Sequence, residues 1–582
     1  MKKYYSAERN IQIVISLMKA HGIRYVVASP GATNVTFVAS LQQDSYFKIF
    51  SSVDERSAAY IACGIAAETG EPVALSCTGA TASRNYMPGL TEAFYRKLPI
   101  LAITSTQHTG RIGSMTPQVI DRFNLPNDIA KLSIQIPTVI SNEDEWACTV
   151  QVNRAILELT HNGCGPVHIN LSTTYSSDFS VKELPLTRVI RRYGQQDKLP
   201  EISCSKVGIF VGAHQPWTPE LIKAVDLFCE KYNGAVFCDH TSNYTGKYKV
   251  LFSLSCRQNS GDIGPYMPDL LIHIGEISAD YALAKIGIKA QVWRVSPDGK
   301  ICDYFRQLTN VFEMNESLFF QKYTNEKCSE CNTEFFQSCI TYKKEIDSSV
   351  PELPFSNPWI AQQIAGKLPA GAVLHLGILN SIRSWSCFDV PPELYGYANT
   401  GGFGIDGCMS SMIGASMVSP EKLFFGVFGD LAFFYDLNVL GNRHVGKNLR
   451  ILLINNGIGT EFKNYDHQAA RFGDSADLYL AAAGHYGNQS QDLVKNFSTN
   501  LGFKYLTASS KKDFTRNISE FLSPECNSKS IIFEVFTNSK DESDAIQKLS
   551  LIKTNYSYVA KQLIADTIGP AGVNAIKKIL KK

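Results

Sequence analysis

The sequence predicts an α/β protein of three doubly wound parallel-sheet domains followed by a helical C-terminal tail. Three observations carry this. Apolar runs of four to six residues, such as Leu423 to Phe428 and Ile451 to Ile454, are too short for a typical helix and read as buried parallel strands. They alternate with segments of helical spacing across short loops, the pattern of a doubly wound sheet. Two polar, proline-bearing stretches divide the chain and read as linkers: 181–204 with Pro185 and Pro200, and the segment holding Pro351, Pro354 and Pro358. The expected domains are therefore residues 1–180, 200–345 and 355–540, with an extension at 541–582.

In the first domain the elements alternate strictly. A helix over Ala7 to His21 precedes a strand at Tyr25 to Ala28, and Ser29-Pro30-Gly31-Ala32-Thr33-Asn34 opens the next helix. A strand at Lys48 to Ser51, a helix over Ser57 to Thr69 and a strand at Val73 to Ser76 follow. The loop Thr78-Gly79-Ala80-Thr81-Ala82-Ser83 leads into a helix through Tyr95, and strands lie at Ile100 to Thr104 and Val167 to Leu171. In the middle domain, strands at Val207 to Val211, Ala235 to Cys238, Leu270 to Ile274 and Val292 to Val295 flank a helix at Pro219 to Lys231. No GxGxxG follows its first strand, so no dinucleotide fingerprint is read there. His240, in Asp239-His240-Thr241, reads as a polar loop residue at a strand end.

The third domain holds the stretch around which the chain is organised. A strand at Val373 to Leu376 leads to Gly377 and on to Arg383. Gly401-Gly402-Phe403-Gly404-Ile405-Asp406-Gly407 then precedes a helix of small residues from Cys408 to Met417, suiting a backbone that wraps a ligand and aims amides at phosphate. The strand ending at Phe428 delivers Gly429-Asp430. A segment of helical spacing follows (Leu431, Leu437, Leu440), and the next strand ends in Asn455-Asn456-Gly457. Ligands of open α/β sheets bind at such carboxyl ends. An Asp carboxylate, an Asn side-chain oxygen and a backbone carbonyl form the all-oxygen set that Mg2+ prefers. In the tail, Ile546 to Ile552 and Val573 to Leu580 have helical spacing.

Composition bounds the class. The chain has 582 residues, 44% apolar and 19% charged, with a net charge of +2, so no strong field points to nucleic acid or an anionic membrane surface. Its 15 cysteines are scattered, and only Cys328-Ser-Glu-Cys331 has metal-type spacing, without a second half. Free thiols fit a reducing cytoplasm. Polar Glu8, Arg9, Asn10 and Gln12 interrupt the first apolar segment, which reads as an amphipathic helix and not a signal peptide. No apolar run is long enough to span a bilayer.

The 24 residues between Gly429-Asp430 and Asn455-Asn456 resemble the diphosphate-binding motif of thiamine diphosphate enzymes, specifically the decarboxylase and carboligase family. The resemblance implies that Asp430, Asn456 and the carbonyl of Ile458 hold Mg2+. It also implies that Gly402, Phe403, Gly404, Ile405, Gly429, Leu431, Ala432 and Gly459 line the cofactor site, with Ile405 the wedge that bends the cofactor. Leu431 departs from the usual glycine or serine. In the first domain, Val53-Asp54-Glu55-Arg56 aligns with the family's His-Glu turn. Glu55 would bond the cofactor pyrimidine and favour the tautomer that acts as base, and Asp54 replaces the usual histidine. By the same resemblance Pro30, Gly31, Thr78, Gly79 and Asn85 lie near the pyrimidine, and Gln118 falls at a frequent active-site glutamine.

Asn399 to Gly407 and Gly429 to Asn438 are most similar to the branch of menaquinone-pathway synthases that join 2-oxoglutarate to isochorismate. Arg383 would there bind a substrate carboxylate. Three arginines of that branch are missing: Thr33, Gln107 and Thr400 stand in their places. The first domain reads closer to acetolactate-synthase-like members. The resemblance therefore implies a thiamine diphosphate- and Mg2+-dependent enzyme that decarboxylates a 2-oxo acid and ligates the product to a small-molecule acceptor. The alternatives are authentic synthase activity or simple decarboxylation. A homodimer or homotetramer with active sites at the subunit interface is implied, and no nucleic acid or membrane partner.

Overall fold

The computed structural model describes residues 4–259, 263–325, 332–485, 490–525 and 529–553. Cys328, Cys331 and the Val573 to Leu580 segment lie outside the described residues. The strands are β1 (Tyr25–Ala28), β2 (Lys48–Ser51), β3 (Val73–Cys77), β4 (Ile100–Thr106), β5 (Leu132–Ile136), β6 (Val167–Ser172) and β7 (Arg191–Tyr193). They continue with β8 (Val207–Val211), β9 (Gly234–Cys238), β10 (Lys249–Leu251), β11 (Leu270–Ile274), β12 (Gln291–Val295) and β13 (Leu308–Phe312). The last are β14 (Val373–Leu376), β15 (Tyr395–Tyr397), β16 (Phe424–Gly429), β17 (Leu449–Asn455), β18 (Lys504–Ala508) and β19 (Ile531–Phe536).

The chain forms two compact units, one from Met1–Asp197 with Gly299–Glu313, the other from Lys198–Asp298 with Met314–Lys582. The first unit holds a six-stranded sheet of order β2-β1-β3-β4-β6-β5, parallel throughout, and the parallel pair β7 and β13. β7 lies inside the stretch that composition reads as a linker; its partner β13 returns from more than 100 residues later and no local pattern announces that pairing. One face of the six-stranded sheet is covered by Arg9–Ala20 and Asn142–Glu158, whose Ile11, Val14, Leu17, Val152 and Ile156 are buried. Glu55–Thr69 and Met87–Arg96 cover the other through Ala58, Ala62 and Leu90.

The second unit holds parallel strands in the order β10-β9-β8-β11-β12 and a six-stranded parallel sheet of order β15-β14-β16-β17-β19-β18. Buried strands read as continuous apolar runs because both faces are covered, and β16 and β17 are buried along almost their whole length. In the middle sheet the loop after β8 lies against the loop after β11: a Cβ on Gly212 would sit 1.7 Å from the Glu276 carbonyl oxygen. His240 is buried and its Nε2 lies 2.8 Å from the Trp385 carbonyl oxygen. It joins the end of β9 to the helix Asn380–Trp385, a structural role where the sequence suggested a loop residue. The expected helix at Ile546 to Ile552 is the end of Ser539–Ser550. Among the described residues, no helix is long and apolar enough to cross a membrane.

Candidate active site

In the second unit, β16 ends at Gly429 and Asp430 starts the helix Asp430–Tyr435. Asp430 is only 5% exposed. Its Oδ1 accepts from the Leu431 amide (2.8 Å) and its Oδ2 from the Gly457 amide (2.5 Å). Burial pushes its carboxyl up to about 6, against the lowering effect of these amides. β17 ends at Asn455, whose side chain turns inward and donates to Glu534 Oε1 (2.7 Å). Asn456 is the next residue, and its Oδ1 accepts from the Ile458 amide (3.4 Å). The Asp430 carboxylate thus touches the backbone of the 456–458 loop at Gly457, the residue between the other two members of the sequence-read oxygen set. The donors are hard oxygens and the carboxylate is held by amides, so a divalent cation fits. Its charge would offset the cost of keeping Asp430 ionised in a buried place.

Around this set, Gly459 donates to the Ala481 carbonyl (2.7 Å), and a Cβ on it would meet Leu431 Cδ1 at 3.4 Å. Leu431, the departure from the motif, therefore packs against the loop it caps. Ala432 is buried. The glycine-rich turn before Cys408–Val418 is open at Gly402, where a Cβ would meet nothing within 4 Å. Phe403 has a positive φ of 55° and its ring stands 5.8 Å from that of Tyr281. Gly404 and Ile405 are half-buried beside it. Arg383, expected to bind a substrate carboxylate, is ion-paired with Glu461 and lies over the Tyr281 ring at 5.2 Å. Sequence reading missed Glu461; its place five residues after Asn456, just past the metal-type loop, was the available signal.

In the first unit, Glu55 opens the helix that follows β2, and Asn85 Nδ2 donates to its Oε2 (3.3 Å). This joins two residues that the sequence singled out separately. Asp54 accepts from the amides of Arg56 and Ser57, at 3.2 and 3.3 Å, and from the Ser57 hydroxyl at 2.7 Å. The residue replacing the family histidine is an N-cap, worth about 1 kcal/mol of helix stability. The loops after β1 and β3 pack tightly: a Cβ on Gly31 would fall 2.4 Å from Thr78 Cβ. Pro30 is exposed at the rim. Thr33 Oγ1 shares a hydrogen bond with Thr78 Oγ1 (2.6 Å), donates to the Ser105 carbonyl (3.1 Å) and accepts from the Gly79 amide (3.3 Å). Gln118 is exposed with φ of 66°, and its carbonyl oxygen lies 3.2 Å from where a Gly79 Cβ would be. Gln107 accepts from Arg111 Nη1 at 2.5 Å.

A buried carboxylate beside a strand-end amide on one parallel sheet, and a glutamate at the strand-to-helix turn of another, are the features that the resemblance to thiamine diphosphate enzymes leads one to expect. Comparison with known proteins agrees. The family described as "Thiamine pyrophosphate enzyme, N-terminal TPP binding domain" matches residues 10–125. The 2-succinyl-5-enolpyruvyl-6-hydroxy-3-cyclohexene-1-carboxylate synthase of Bacteroides fragilis is 31% identical over 562 residues, 92% of this chain and 97% of the relative. The protein of that name from Phocaeicola vulgatus is 30% identical over 569 residues, 94% and 98% of the two chains. That from Porphyromonas gingivalis is 24% identical over 592 residues, 96% and 99%. The chain belongs to the family of thiamine diphosphate-dependent decarboxylase/carboligase enzymes that contains these synthases, and its cofactors are thiamine diphosphate and a divalent metal.

Proposed function

We propose that the protein carries out the reaction of its named relatives, forming 2-succinyl-5-enolpyruvyl-6-hydroxy-3-cyclohexene-1-carboxylate from 2-oxoglutarate and isochorismate. The single observation that carries this is likeness to those synthases over nearly the full length of both chains. When bound, thiamine diphosphate supplies the nucleophilic carbon and the electron sink for loss of CO2 from a 2-oxo acid. The chain's own residues bind and orient. Asp430, Asn456 and the Ile458 carbonyl would hold Mg2+, whose charge would help bind the cofactor. The turn from Gly402 to Ile405 wraps the cofactor, with Ile405 as the wedge, and Gly429, Leu431, Ala432 and Gly459 line it. Glu55, oriented by Asn85, holds a proton at the pyrimidine edge, the general acid–base role a carboxylate can serve. Pro30, Gly31, Thr78 and Gly79 form the wall near that ring. Gln118 and Arg383 face the substrate, Arg383 exchanging Glu461 for a substrate carboxylate.

A second reading is favoured by the neutral residues Thr33, Gln107 and Thr400. Thr33 is engaged by Thr78 and the Ser105 carbonyl, and Gln107 by Arg111; neither is a cation for a polyanionic acceptor. Loss of three charged hydrogen bonds costs about 1.5–3 kcal/mol each. This reading is a carboligase with a less anionic acceptor. The test is product analysis with 2-oxoglutarate or pyruvate, each with and without isochorismate. Product from 2-oxoglutarate plus isochorismate establishes the first reading. CO2 release without that product leaves the second, and no CO2 from any 2-oxo acid overturns both.

Exposed apolar residues around Glu55, namely Phe50, Val53, Tyr60 and Ile61, offer a face for a second copy, so the protein works as a homodimer or homotetramer. The 12 cysteines among the described residues are all free, which fits the cytoplasm.

A further inference from the structure

The carboxyl ends of the middle sheet open into a cavity of about 400 Å3, within the roughly 300–1,000 Å3 range of small-ligand sites. It lies where the strand order turns. The chain runs from β8 to β9 and β10 on one side, then returns to β11 and β12 on the other, and ligands of open α/β sheets bind at such a switch point. The loops after β8, β9 and β11 are tied to one another there. The Glu276 amide donates to the Ala213 carbonyl and the His214 amide to the Thr241 carbonyl, each at 2.9 Å. The cavity is therefore preformed. Val295, Pro297, Tyr397 and Ala398 give it an apolar wall, and exposed Gln215 and Glu276 stand where it meets solvent. None of the residues assigned to the cofactor lines it.

Charged side chains of both signs line it: Arg294 and His214, Glu276 and Glu316. Two of them satisfy each other. His214 Nδ1 lies 2.6 Å from the Gln215 carbonyl oxygen and Nε2 2.9 Å from Glu316 Oε2, so both ring nitrogens meet acceptors. Burial works to lower the His214 pKa, but the bond and charge of Glu316 and the Gln215 carbonyl outweigh it and hold the imidazole above its ordinary 6.5. Arg294 and Glu276 remain. Arg294 is 5% exposed; its Nη1 donates to the Gly275 carbonyl (2.5 Å), which fixes the fork, and its Nε has no hydrogen-bond partner. Nη2 reaches only Glu276 Oε1, at 3.7 Å, beyond hydrogen-bond distance, and that glutamate side chain is 78% exposed. A planar guanidinium fork matches a carboxylate. A loosely paired acid beside it, at the solvent edge, suits an ammonium.

We propose that this cavity is a binding site for an α-amino acid with an apolar side chain: Arg294 takes the carboxylate, Glu276 the ammonium, and the wall of Val295, Pro297, Tyr397 and Ala398 the side chain. A plain carboxylate would set a like charge against Glu276, and a plain amine would leave Arg294 unmatched. The proposal stands on the middle sheet and its neighbours in the second unit, and does not depend on the reaction assigned above.

The test is calorimetric titration of the full chain with L-leucine and L-phenylalanine. Each is compared with its deaminated acid (4-methylpentanoate, 3-phenylpropanoate) and its decarboxylated amine (isoamylamine, phenethylamine). At least one amino acid should bind, and both of its truncated analogues should bind at least about 10-fold more weakly, each having lost one charged hydrogen bond. Glu276→Gln, at an exposed side chain, should weaken the amino acid by about 10-fold and leave the deaminated acid no weaker. Arg294→Met should abolish binding of both. Because Nη1 also holds the Gly275 carbonyl, melting curves report whether that variant folds; if it does not, Glu276→Gln decides. No binding of either amino acid at millimolar concentration overturns the proposal. So does a deaminated acid that binds as tightly as its amino acid, or amino-acid binding unchanged in Glu276→Gln or in folded Arg294→Met.

Discussion

The six-stranded sheets of the two units have one topology. The order β2-β1-β3-β4-β6-β5 maps onto β15-β14-β16-β17-β19-β18 strand for strand, and every pairing is parallel. The sequence shows no short-period repeat, yet the same scaffold occurs twice. What differs is where the carboxylate stands. In the second unit it follows the third strand of the order, β16, as buried Asp430. In the first unit the corresponding place after β3 holds neutral Thr78-Gly79-Ala80, with Ala80 at a positive φ of 55°. The carboxylate there follows the edge strand β2 instead, as half-buried Glu55. A buried acid pressed against amides suits a cation. A half-buried acid with one amide partner suits exchange of a proton with an outside ring. One fold thus presents its acid in two different settings, after a central strand in one unit and after an edge strand in the other.

That contrast can be broken most severely at Asp430. Asp430→Ala removes the only carboxylate of the proposed metal set, so Mg2+-dependent binding of thiamine diphosphate should weaken by at least about 100-fold in calorimetry. Binding that persists with its metal dependence intact would sink the assignment. Glu55→Gln should separate binding from chemistry. It keeps the shape and loses the exchangeable proton, so thiamine diphosphate should still bind while CO2 release falls by roughly 100- to 10,000-fold. Equal losses in both assays would mean that the two acids are not differentiated.

Acid should weaken both units through buried histidines. Burial lowers His168 and His273 to about 3, and His240 and His375 to about 4, from an ordinary 6.5. The unfolded chain takes up these protons as pH falls below about 6.5, while the folded chain does not until pH 3–4. Stability is therefore constant with respect to these groups above pH 7 and falls steadily below 6.5, by about 1.4 kcal/mol per histidine at pH 5.5. Melting curves from pH 7.5 to 5 check the sign; a flat or rising midpoint contradicts it.

The smallest effect compares a crowded glycine with an open one. Gly31→Ala drives a methyl into Thr78 and should cost about 1–3 kcal/mol with a displaced loop. Gly402→Ala meets nothing and should change stability by less than about 1 kcal/mol. Denaturant midpoints for the two variants give the comparison directly.

Much of the site was legible because its chemistry is local in sequence. Gly429-Asp430 and Asn455-Asn456 each sit where an apolar run stops, and a buried strand is recognisable by that run. Glu55 stood at a strand-to-helix turn for the same reason. Arg383 was legible as a cation but not as the partner of Glu461, 78 residues away. Asp54 stood out in the sequence as a replacement of the usual histidine, and an Asp before a helix is also a capping signal, the role the structure gives it. The strand Arg191–Tyr193 was hidden in a polar stretch because its pairing with β13 is the only thing that makes it a strand.

The sequence by itself determined the class of fold and the cofactor, and it placed at two strand ends the oxygen set proposed for the metal. Periodicity, strand-end placement and fixed spacing are properties of neighbouring residues. Only the tertiary structure decided that the first and third sheets share one strand order, that Asn85 serves Glu55, and that Glu316 holds His214. Those facts depend on contacts between residues dozens of positions apart. The burial that shifts Asp430 and His168 is likewise set by the whole packed unit, because desolvation is a property of everything around a group and not of its neighbours in the chain.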